Sequence, residues 1–141
     1  MVEIIAGRKG KGKTKFLLEK ANNAVLTTHG TICYVDKSTK HMYELSNQVR
    51  LINIFDYPVR SYEAFIGFVS GLVAQDYDLD QIYFDSFLTI SGLEESGADI
   101  AAAVETLEKI SKAYNVNFVL SISLDEADLP DDIKKYIVIS L

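Results

Sequence analysis

A short apolar run, Val2 to Ala6, leads directly into Gly7-Arg8-Lys9-Gly10-Lys11-Gly12-Lys13-Thr14, and Phe16, Leu17, Leu18, Lys20 and Ala21 continue with helical spacing. Few local sequences constrain a chain more tightly. Glycines let successive backbone N–H groups turn inward as an anion nest, and the helix that follows directs its positive end at the same point. The segment therefore predicts a buried strand, a tight loop and a helix in immediate succession. The G-x-x-x-x-G-K-T spelling specifies the anion as a nucleotide phosphate: Lys13 is placed to reach the β and γ phosphates, and the Thr14 hydroxyl suits Mg²⁺, a hard cation that takes oxygen ligands. Gly7, Arg8, Lys9, Gly10, Lys11, Gly12, Lys13, Thr14 and Lys15 are the candidate nucleotide-binding residues. The competing reading is a Gly/Lys-rich surface turn.

Further apolar runs follow at Thr31–Asp36, Arg50–Phe55, Gln81–Asp85, Asn117–Leu124 and Tyr136–Ser140. They are continuous and not alternating, as in strands buried on both faces, and so predict a parallel sheet with helices on either side. Between them lie helical stripes. Ala64, Phe65, Phe68, Val69, Leu72 and Val73 form one, with Ser61 as N-cap. Ile100, Val104, Leu107, Ile110 and Tyr114 form another, after Asp99 and ending at Asn115. Pro130, Asp131 and Asp132 open a short helix closing near Lys134 and Lys135. The order is β and α alternating throughout, which predicts a three-layer α/β/α sandwich around a mainly parallel sheet of about six strands. At 141 residues the chain reads as one domain over 1–141. Gly67 and Gly71 are expected to mark close packing of helix on sheet. Asp76, Asp78 and Asp80 lack the glycine and terminal glutamate of a calcium loop and read as a solvated acidic turn.

The net charge of −6 disfavours nonspecific nucleic-acid binding, although Arg8, Lys9, Lys11, Lys13 and Lys15 concentrate cations around the loop, as phosphate affinity requires. One cysteine, Cys33, allows no intramolecular disulfide and fits a reducing cytoplasm. No leader pattern and no long apolar span is apparent, so neither secretion nor a membrane is expected. His29 and His41 with Cys33 give no zinc-ligand spacing, and no transition-metal site is expected.

A phosphate loop also needs a carboxylate beside the magnesium, usually from the end of a facing strand. Asp85 closes Ile82-Tyr83-Phe84-Asp85, where burial would be costly without a cation or hydrogen-bond donors. Thr14 and Asp85 are thus the candidate Mg²⁺ ligands, and the alternative is a strand-end cap.

The stretch Ile82-Tyr83-Phe84-Asp85-Ser86-Phe87-Leu88-Thr89 resembles the Walker B strand of RecA-like and KaiC-like ATPases, and Gly7 to Thr14 resembles their Walker A loop. The resemblance implies a P-loop NTPase fold, ATP, Mg²⁺ and often assembly into a ring or filament. Lys13 and Asp85 then belong to the catalytic set. Those ATPases place a catalytic glutamate just after their second core strand. Here Asp36 is the only acid at that strand end and becomes the candidate water-positioning residue, so fast hydrolysis is not expected. Arg50 and Arg60 are the spare arginines for a phosphate clamp, against a reading as solvated cations. The resulting expectation is a Mg²⁺-dependent ATP-binding protein, slow or partner-activated as an ATPase. A nucleotide-responsive module without turnover and a small phosphotransferase are the alternatives.

Overall fold

The computed structural model describes residues 1–96 and 99–141. Six strands, β1 (Val2–Ala6), β2 (Thr31–Asp36), β3 (Val49–Asn53), β4 (Leu79–Phe84), β5 (Asn117–Ile122) and β6 (Ile137–Ser140), form one sheet in the order β3-β2-β4-β5-β1-β6. Every neighbouring pair is parallel. The helices are α1 (Lys13–Ala24), α2 (Tyr62–Gln75), α3 (Phe87–Ile90), α4 (Leu93–Ser96) and α5 (Ile100–Tyr114). The connection between β2 and β3 holds no helix. Among the described residues, no helix is long and apolar enough to cross a membrane.

Strand alternation divides the core into two. Val2, Ile4 and Ala6 of β1, Cys33 and Val35 of β2, and Ile82 and Phe84 of β4 face one way, against Phe65 and Val69 of α2 and Ala103, Val104 and Leu107 of α5. Ile5, Ile32, Tyr34, Tyr83 and Val119 face the other way, against Leu17, Leu18 and Ala21 of α1. The sheet thus carries helices on both faces. The α1 side is the thinner layer, and Leu45 from the β2–β3 connection completes it.

Local chemistry sets the element ends. Ser61 Oγ accepts from the Ala64 N–H at 3.1 Å and starts α2. Asp99 Oδ1 accepts from Ala101 and Ala102 and starts α5, and Asn115, in the left-handed region at φ 56°, stops it. The run at Arg50–Phe55 is interrupted at Asn53, whose Oδ1 accepts from the Phe55 N–H at 3.1 Å and turns the chain into a 3₁₀ segment over Ile54–Asp56. The segment after Pro130 is also 3₁₀, over Asp131–Tyr136.

Two packing expectations are corrected. Gly67 and Gly71 do not mark close packing. Both are exposed, and a Cβ at either would meet nothing within 4 Å, because α2 buries Phe65 and Val69 on its other side. Tyr114 lies off the buried stripe of α5 and is 67% exposed.

Candidate functional site

The loop after β1 opens at the C-terminal edge of the sheet, where α/β proteins bind ligands. Gly10 (φ 83°) and Gly12 (φ 88°) occupy the left-handed region, which non-glycine residues enter at a cost. No side chain caps the α1 N-terminus and no acid occupies its first turn, so its positive end faces the cleft uncompensated. Gly7 serves a different purpose. It is buried, its N–H donates to Leu124 O at 2.8 Å, and a Cβ there would come within 3.0 Å of Leu141 Cβ.

A cleft of about 320 Å³ lies over this loop. Lys9, Gly10, Gly12, Lys13 and Thr14 line one side, and Lys37, Asp85 and Ser121 line the other. Arg8, Lys11 and Lys15 are exposed outside it. Lys13 is 7% exposed, and its Nζ donates to Arg8 O at 2.9 Å. Burial lowers its pKa below the ordinary lysine range, with Asp85 opposing and Lys9 reinforcing the shift. A cation held this way gains most from an anion brought into the cleft.

Asp85 is the hub. Its Oδ1 accepts from Thr14 Oγ1 at 3.2 Å, from the Ser86 N–H at 2.9 Å and from Ser121 Oγ at 2.9 Å. Its Oδ2 accepts from Tyr34 Oη at 2.8 Å. These contacts hold a carboxylate that is only 3% exposed. Ser86 follows in the left-handed region (φ 54°), a strained position for a residue with a side chain. Its N–H also donates to Ser121 Oγ at 2.9 Å, which ties the strained turn to β5. Burial, followed by the charge of Asp85, pushes the Tyr34 phenol up, so it remains a donor at neutral pH. The Thr14 hydroxyl and the Asp85 carboxylate are the hard oxygen donors that an octahedral cation takes, and they lie side by side in a cleft open to solvent.

Asp36 ends β2 beside Asp85 but does not line the cleft. It is 3% exposed; Oδ1 accepts from the Lys37 N–H at 2.7 Å, and no donor reaches Oδ2. Burial, and then repulsion by Asp85, raises its pKa above the ordinary carboxylate range. Lys37 is the β2-end residue that reaches the cleft. Arg60 is an exposed cation that also holds its own loop. Its guanidinium donates to Tyr57 O at 2.9 Å and Val59 O at 3.0 Å, and lies over the Phe55 ring, which clips its own loop together. It borders a second cavity, of about 290 Å³, which meets the cleft at Thr89 and Glu94. Arg50 is exposed on β3.

Lys37, Ser121 and Tyr34 were not singled out from the sequence. Ser121 left one signal, a hydroxyl inside the apolar run Phe118–Ile122. Tyr34 is indistinguishable from a core aromatic, and Lys37 from a surface cation. The chain matches no known family model, and a comparison with curated proteins also finds no match.

Proposed function

We propose that this is a P-loop protein that binds ATP with Mg²⁺ in the cleft over Gly7–Thr14. Lys13 binds the β and γ phosphates, with Lys9, Gly10 and Gly12 around them and Thr14 and Asp85 serving the cation. The observation that carries the reading is the link between the loop and the strand end: Thr14 Oγ1 lies 3.2 Å from Asp85 Oδ1 beneath an uncapped helix N-terminus. In the strand order β5 lies between the loop strand β1 and the acidic strand β4. Magnesium bound there neutralises phosphate charge and orients the triphosphate.

Turnover is slow or awaits a partner. A water-orienting carboxylate must touch the attacking water, and Asp36 is buried outside the cleft. The same observation favours the second reading, a nucleotide-responsive module without hydrolysis. Phosphotransfer has less support, because the Arg60 guanidinium already donates to the backbone carbonyls of Tyr57 and Val59.

Calorimetric titration with ATP, GTP and a non-hydrolysable ATP analogue, with and without Mg²⁺, tests the reading, followed by phosphate release on the same sample. Mg²⁺-dependent ATP binding that disappears in Lys13→Ala, with an unchanged unfolding midpoint, is the expected result. Equal ATP affinity in Lys13→Ala overturns the loop assignment. Binding without phosphate release selects the non-hydrolysing module.

A further inference from the structure

The β2–β3 connection brings a histidine to the two strand-end carboxylates. One ring nitrogen of His41 and one carboxylate oxygen each from Asp36 and Asp85 lie within 4.8 Å of one another. We propose that these three side chains bind a divalent first-row transition cation, at a site that shares Asp85 with the one Thr14 serves but fills without nucleotide.

Three observations converge on it. First, Asp36 Oδ2 is the buried side-chain oxygen that no donor reaches among the described residues, on a carboxylate 97% removed from solvent. Such an oxygen is costly unless a proton donor or a cation meets it. Second, Asp85 presents two separate faces. Its Oδ1 is occupied by α1 and β5 through Thr14 and Ser121, whereas Oδ2 accepts one bond, from Tyr34 of β2, and keeps lone-pair capacity.

Third, His41 is set up as a ligand. Its Nδ1 lies 3.0 Å from Glu44 Oε1. An ionised carboxylate only accepts, so in the neutral ring Nδ1 carries the proton and Nε2 is the nitrogen left to coordinate metal. A carboxylate behind the imidazole is the usual support of a metal-binding histidine. The loop that carries the pair is anchored: Asn22 of α1 donates to Glu44 O at 2.9 Å and accepts from the Ser46 N–H at 2.7 Å, and Leu45 is buried against α1. Two carboxylates with one imidazole suit Mn²⁺ or Zn²⁺ better than Mg²⁺, which prefers oxygen alone. The sequence expectation of no transition-metal site rested on local spacing, and this set is assembled from the ends of two strands and a loop.

The test uses Mn²⁺ as probe on the nucleotide-free full chain, with free Mn²⁺ followed by electron paramagnetic resonance and the histidine ring signals by NMR. The expected result is one Mn²⁺ per chain that broadens His41 before His29, which is exposed at the far end of β2 and serves as an internal control. Glu44→Ala, at an exposed position, weakens Mn²⁺ binding by about 10- to 100-fold. His41→Ala abolishes it, and Lys13→Ala leaves it intact. Excess Mg²⁺ does not displace the ion. Equal Mn²⁺ affinity in the wild type, Glu44→Ala and His41→Ala overturns the site, as does Mn²⁺ that binds only with ATP or leaves when Mg²⁺ is added. The proposal does not rest on nucleotide binding: a chain that ignores ATP but binds Mn²⁺ through His41 retains this site and loses the reading above, and the converse result does the opposite.

Discussion

At Asp36 a carboxylate oxygen has left water without gaining a donor, and this has a consequence for stability that needs no ligand. Burial and the neighbouring Asp85 raise its pKa in the folded chain above the ordinary carboxylate value. A group shifted in this direction contributes its full stability below the unfolded pKa, and that contribution is lost as pH rises through the folded one. Above the unfolded pKa the folded chain therefore bears a cost at Asp36, in ionising it or in holding its proton, that the unfolded chain does not. Asp36→Asn removes it and, in buffer with a metal chelator, is expected to stabilise the fold by about 1–3 kcal/mol near neutral pH, with the gain shrinking as pH falls toward about 4. Urea unfolding at several pH values measures this, and a variant less stable than wild type at neutral pH contradicts it. Lys13, Thr14 and Asp85, candidates that the structure brings to one cleft, are legible from local spacing. Tyr34, Lys37, His41 and Ser121 come near Asp85 or its cleft through strand register and loop docking, which leave at most a weak local trace, such as the Ser121 hydroxyl inside an apolar run.

The same division holds at the scale of the element. All six strands and the long helices α1, α2 and α5 were legible, because continuous apolar runs and helical stripes are physical requirements of a sheet buried on both faces. Strand order was not, since it depends on which crossover passes which face. The role of a glycine was not legible either, because it depends on what lies opposite. Gly67 and Gly71 look alike in sequence to packing glycines, yet both face open space on α2. Gly30, unremarked in the sequence, is the tight one: a Cβ there would come within 2.4 Å of Asp78 O and 2.8 Å of Asp80 Cβ, where the start of β2 passes the turn before β4. Opposite signs follow. Gly67→Ala and Gly71→Ala should each stabilise by about 0.5–1 kcal/mol, because alanine restricts the unfolded chain and suits a helix interior. Gly30→Ala should destabilise by about 1–3 kcal/mol, because backbone must move to admit the methyl group. Thermal or urea unfolding of the three variants decides it, and a destabilised Gly67→Ala would place something against α2 in solution.

For the molecule as a whole, Cys33 reports on every part at once. It lies within β2, flanked by Arg50 on β3 and Ile82 on β4, and is 4% exposed. Burial pushes its thiol up to about 11, against the pull of Arg50, so little thiolate forms at neutral pH and none is accessible. Alkylation then requires the sheet to open between β3 and β4, and its rate follows the population of opened chains. The proposed nucleotide site spans β1, α1, β4 and β5, so opening that separates β2 from β4 also disrupts the position of Asp85. If the proposed site binds ATP with Mg²⁺, ligand at about 100 times its Kd should stabilise the closed chain by about 2.7 kcal/mol and slow alkylation of Cys33 about a hundredfold. Lys13→Ala should show the same basal rate and no protection. If ATP binds the wild type yet alkylation does not slow, then β3 and β2 part while β4, β5 and β1 remain assembled around the ligand, and the sheet is two cooperative units divided at β2.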